Sequence, residues 1–127
     1  EVDARLQEIG FGVLEGLTYD EAVKRQLSFP WGPTAANWPV EGAESLEDFT
    51  ARVEAAAHDL RFRRENTAII SHGGVIRALT SCWLELPPEK LWSLTVYNVE
   101  SVVFGSDGDN LYLERYGLAP EWLSPKL

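Results

Sequence analysis

At 127 residues the chain holds enough material for one domain with one core, and too little for two. Eleven basic against twenty acidic residues give a net charge of −9, which argues against nucleic acid or an anionic membrane as the main partner. A small anion held by a local group of donors remains compatible, and no apolar run approaches the roughly 18 residues of a membrane span.

The opening residues Glu1-Val2-Asp3-Ala4-Arg5 are polar and unlike a signal peptide, and the sequence contains no Met. The true start is therefore expected upstream, together with any targeting signal. Residues 1–17 read as a loop with a short turn around Gly10, Gly12 and Gly16. Thr18 with Glu21 three residues on has capping-box spacing and predicts a helix from Thr18 to Leu27. Residues 28–43 hold Pro30, Pro33, Pro39, Gly32 and Gly42, which predicts irregular backbone. Its aromatics Phe29, Trp31 and Trp38 argue against disorder, leaving a functional loop or one they simply fix to the domain.

Ser45, followed by Asp48, starts a clearer helix, with Leu46, Phe49, Val53, Ala56, Ala57 and Leu60 forming one apolar stripe. The run Thr67–Ser71 is short and apolar, as in a buried parallel strand. His72-Gly73-Gly74 follows directly, then an amphipathic helix over Val75–Leu86 stopped by Pro87-Pro88, then one or two helical turns over Glu89–Leu94. Val99–Phe104 and Leu111–Tyr116 alternate like strands joined by a hairpin over residues 105–110. The proline-bearing tail from Leu118 suits the end of a chain. Cys82, beside Leu79, Trp83 and Leu84, reads as a buried structural thiol; alone, it excludes an internal disulfide and fits a reducing, cytoplasmic setting. One Cys and two His do not make an ordinary zinc site unless carboxylates contribute.

Two segments could carry chemistry. A strand ending in His72 and passing into a helix puts the imidazole at the carboxyl edge of a sheet, where α/β proteins bind ligands. Gly73 and Gly74 let backbone approach a ligand, and a helix start can hold phosphate. The plainer alternative is a histidine that caps the strand, with glycines serving the turn. Glu8 and Glu15 lie in the glycine-punctuated loop, where acids are ordinarily solvated.

Read together, the segments resemble the histidine phosphatase superfamily, the phosphoglycerate mutase-like group. The matching residues, in order, are Glu8, Phe11-Gly12, Glu15-Gly16, Glu44-Ser45 and His72-Gly73, with Asn98 to Ser101 similar to a late strand of that family. An alanine stands inside Gly42-Ala43-Glu44-Ser45, where Gly-Glu-Ser is usual. The resemblance implies a three-layer α/β/α sandwich with a mostly parallel sheet, incomplete in this chain. It implies that His72 steadies the phosphoryl oxygens and that Glu8 protonates the leaving oxygen and later activates water. It also implies a nucleophilic histidine in an Arg-His-Gly motif, which this sequence lacks. His58 is expected at the surface of its helix, and Arg77 is expected to be a structural ion-pair partner rather than a phosphate clamp.

The expected protein is thus a metal- and cofactor-independent phosphatase of a small phosphate ester, acting through phosphohistidine, with this chain alone inactive. Its partners are then the substrate and the missing N-terminal half of the same domain, with a homodimer left open. Phosphoglycerate mutase-type transfer and an inactive phospholigand-binding module are the alternatives. Without upstream strands the sheet would keep an uncovered, aggregation-prone edge.

Overall fold

The computed structural model describes residues 1–27 and 40–120, so Phe29, Trp31 and Trp38 lie outside the described residues. Helix α1 spans Tyr19–Lys24 and opens on the expected capping box, with Glu21 N donating to Thr18 Oγ1 and Thr18 N to the Glu21 carboxylate. Helix α2 spans Leu46–Arg61 and is capped by Ser45 Oγ, which accepts from Asp48 N at 3.0 Å. Helix α3 spans Gly73–Trp83 and begins two residues before the expected Val75.

Both α1 and α3 stop about three residues short of the predicted ends, for one reason. Gln26 and Glu85 adopt left-handed φ values of +58° and +53°. Leu27 N then donates back to Ala22 O, and Leu86 N to Ser81 O, each at 2.9 Å. These are Schellman closures built on residues other than glycine. Residues Pro88–Ser93 form the short 3-10 segment that the sequence placed at 89–94.

The apolar stripe of α2 faces α3. Phe49, Val53 and Ala57 pack against Val75, Ala78 and Leu79, and Ile9 and Leu91 complete the buried cluster. Strands β1 (Ser101–Asp107) and β2 (Asn110–Leu118) pair antiparallel around the two-residue loop Gly108-Asp109, where glycine supplies φ +63°. The Trp83 ring meets Phe104 edge-on at 4.9 Å and donates from Nε1 to Ala57 O, tying β1 to both long helices. Arg61 holds the hairpin tip through Asp109 O.

Two expectations about the sheet change. The run 67–71 forms no ladder: Ile69 packs on the core while Ile70 is 97% exposed. A strand needs a neighbour to receive its N–H and C=O groups, and none lies beside this run among the described residues. The described fold is therefore mixed α/β with a two-stranded antiparallel sheet, without the parallel strands of the expected sandwich. β1 also starts at Ser101 rather than Val99, because Val99 sits at φ +67° in a turn closed by Glu100 N donating to Tyr97 O. That conformation is strained for a β-branched residue.

Candidate active site

Residues 7–11 have no repeating hydrogen-bond pattern, so side chains must satisfy their backbone. Ile9 N donates to Glu8 Oε1, Gly10 N to Glu44 Oε2 and Phe11 N to Glu15 Oε1. The carbonyls are served by Arg52, on the second turn of α2, which reaches Arg5 O, Gln7 O and Glu8 O at 2.7, 2.8 and 3.1 Å. Arg52 also grips Glu44 with two parallel bonds of 2.6 and 2.7 Å, and its planar cation lies 4.9 Å from the Phe49 ring centre.

The loop carrying Glu8 is zipped to the loop carrying Glu44. Phe11 bridges Ala43, Glu44 N donates to Gly10 O, and Val13 N to Glu41 O. Gly12 sits at φ +56° at the crossing, where a Cβ would collide with the Glu41 carbonyl and the Ala43 amide. The alanine that departs from the expected Gly-Glu-Ser pattern is thus the residue that makes the bridge.

The carboxylate of Glu8 then meets the start of α3. Gly74 N donates to Glu8 Oε2 at 3.1 Å, and a Cβ at Gly74 would strike Glu8 Oε1. The amide expected to face a ligand is instead given to the Glu8 carboxyl group at the start of the helix. His72, the N-cap residue of α3, makes no capping bond with its side chain and is exposed. Glu8, His72 and Gly73 share one cleft of about 510 Å³, whose far wall is the strained turn Tyr97–Glu100. Ser71 Oγ donates to Leu6 O and ties the His72 side of the cleft to the Glu8 loop. No Lys or Arg is among the described residues lining the cleft.

Other expectations fall away from the cleft. His58 is exposed beside Asp59 and edge-on to Phe62. Arg77 is structural as expected, but its partners are the Leu94 carbonyl (2.7 Å) and the Trp92 ring rather than a carboxylate. Cys82 is only partly buried, and that burial pushes its thiol up from the ordinary range. Among the described residues no group of three His, Cys, Asp or Glu could hold a metal ion, and no helix is long and apolar enough to cross a membrane.

The Arg52–Glu44 pair gives an acid-side prediction. Hydrogen bonds from Arg52 hold the half-buried Glu44 carboxyl below the usual carboxylate range. A carboxyl depressed by folding contributes stability that is complete above its unfolded value of about 4.3 and disappears as pH falls through the folded value. Urea midpoints of the wild type should therefore fall below that pH more steeply than those of Glu44→Gln. Parallel curves would sink this account.

Residues 1–119 match the family model of the histidine phosphatase superfamily (branch 1), and the chain belongs to that superfamily. Among curated relatives it is 31% identical to a fructose-2,6-bisphosphatase of Saccharomyces cerevisiae over 90 residues, covering 67% of this chain and 19% of the relative. It is also 31% identical to a 6-phosphofructo-2-kinase/fructose-2,6-bisphosphatase of Aquarana catesbeiana over 118 residues, covering 85% and 24%. The chain thus spans about a fifth to a quarter of these relatives. Among solved structures, mycobacterial glucosyl-3-phosphoglycerate phosphatase in complex with inorganic phosphate superposes with a TM-score of 0.70 at 23% identity, over 94% of this chain and 65% of that one.

Arg52 is the residue at the site that the sequence did not single out. It occupies a polar position between Phe49 and Val53, and three of its partners lie 44 to 47 residues away. The available signal was Glu44, eight residues before Arg52.

Proposed function

We propose that the protein is a metal-independent phosphomonoesterase that cleaves a small phosphate ester through a phosphohistidine. The observation that carries this is the shared cleft: the Glu8 carboxyl group seated on Gly74 N, with the exposed His72 and Gly73 lining the same cleft. In the first step an imidazole nitrogen bonds to phosphorus as the ester P–O bond breaks, and the leaving oxygen takes a proton from Glu8. His72 and the Gly73 N–H neutralise charge on the phosphoryl oxygens. In the second step water attacks phosphorus, its proton passes to the Glu8 carboxylate, and the P–N bond breaks to release phosphate.

The nucleophilic histidine and the cationic clamp are assigned to a segment outside these 127 residues. The run 67–71, unpaired among the described residues and with Ile70 fully outward beside the cleft, supports that assignment, as does the absence of Lys and Arg among the described residues lining the cleft. Relatives named for fructose-2,6-bisphosphate and glucosyl-3-phosphoglycerate favour a small soluble ester. The absence of a clamp among the described residues keeps a second reading, a phospholigand-binding module that does not turn its ligand over.

The full-length protein, assayed with p-nitrophenyl phosphate in excess chelator and quenched during turnover, separates the two. An acid-labile, base-stable phosphoprotein supports the enzyme. Phosphate binding without turnover or labelling would leave the binding module.

Gly74→Ala tests the seat of Glu8 directly. Alanine favours a helix over glycine by up to about 1 kcal/mol, so the thermal midpoint should hold or rise. Its Cβ would push the Glu8 carboxylate aside, so phosphatase activity should fall. Unaltered activity at an unaltered midpoint would detach Glu8 from the chemistry.

A further inference from the structure

We infer that Arg52 is a positioning residue for the phosphatase reaction, acting through Glu8; the inference rests on the reading of Glu8 as the proton donor. A guanidinium carries five N–H donors in a fixed plane. Arg52 directs bonds from Nε and both terminal nitrogens to five acceptors: both oxygens of Glu44 and the carbonyls of Arg5, Gln7 and Glu8. One of the three carbonyls belongs to the proton donor itself, and the other two lie within three residues before it.

That arrangement goes beyond a brace between a helix and a loop. Among the described residues, the Glu8 side chain accepts hydrogen bonds only from Ile9 N and Gly74 N. Where its carboxylate falls relative to α3 is therefore governed by where its backbone is held. Arg52 holds that backbone on one side. Glu44, itself held by Arg52, accepts from Gly10 N on the other. The cation rests against Phe49, a fully buried residue of α2, so the anchor is rigid. Lysine cannot reproduce the arrangement, because a single ammonium cannot span Glu44 and three separate carbonyls.

Misplacing a catalytic group by about 1 Å costs on the order of 10²-fold in rate. For a proton donor that cost depends on the leaving group. An alkoxide needs the proton as it departs, whereas p-nitrophenolate leaves well without one. The informative quantity is kcat/KM, which covers the steps up to leaving-group departure and excludes later hydrolysis of the phosphoenzyme.

The experiment compares wild type, Glu8→Gln, Arg52→Lys and the double variant in the full-length protein, using β-glycerol phosphate and p-nitrophenyl phosphate. Thermal midpoints verify folding. Arg52→Lys should lose about 10²-fold in kcat/KM on the alkyl ester and keep most of its rate on the aryl ester, the double variant falling no further than Glu8→Gln alone. If Arg52→Lys does not fold, Glu44→Gln, which weakens the grip on Arg52 without removing its charge, should show the same split to a smaller degree. Equal losses on both esters would make Arg52 a brace only and overturn the inference. If Glu8→Gln itself shows no split, the reading of Glu8 fails first, and the inference with it.

Discussion

Replacing His72 with alanine in the full-length protein is expected to lower kcat by about 10²- to 10³-fold, the usual cost of losing one donor to a developing oxyanion. The structure explains why so large a loss should come without unfolding. The His72 side chain forms no capping bond at the start of α3, and the residue is exposed, so its removal breaks no buried contact. Exposed substitutions of this kind change stability by about 0.5 kcal/mol or less. Steady-state kinetics and a melting curve on one preparation check both halves of the expectation. An unchanged kcat would mean that His72 only marks the turn into the helix.

The second large effect is on stability. Phe49 is fully buried at the centre of the contact between α2 and α3. Phe49→Ala should cost about 3–5 kcal/mol, from lost transfer energy and the cavity left behind. Domains typically unfold with only 5–15 kcal/mol, so the urea midpoint should fall far. Phe62→Ala, at a position 65% exposed, serves as the control and should stay close to wild type. The Phe49 ring also supports Arg52, so the buried variant should lose its grip on the Glu8 loop as well. Similar midpoints for the two variants would show that the core is centred elsewhere.

What the sequence made legible was local. Thr18 with Glu21 and Ser45 with Asp48 announced two helix starts, because a cap and its partner lie three residues apart. The helix ends were less legible, since Gln26 and Glu85 take a conformation for which glycine is the usual marker. The run at 67–71 has strand composition, but pairing is settled by distant chain, and composition cannot supply a neighbour. At the site, Glu8 stood out only through the resemblance of the ordered motifs to the histidine phosphatase superfamily, His72 and Gly73 also through their place after a strand-like run, and the three line one cleft. The seating of Glu8 on Gly74 and the reach of Arg52 could not be read in either way, because both depend on how loops 8–12 and 41–45 interlock.

The interlock has a consequence for motion. The amides of Ile9, Gly10 and Phe11 donate to three glutamate side chains, and the carbonyls on the same stretch accept from an arginine. This stretch is ordered by side chains reaching its backbone, whereas the helices order themselves through backbone ladders. Acid that protonates Glu44, whose carboxyl Arg52 holds below the usual carboxylate range, should therefore loosen residues 7–11 while α2 and α3 stay folded, as a sub-global opening with its own free energy. Amide hydrogen exchange would record it as early loss of protection at Ile9, Gly10 and Phe11, ahead of the helical amides.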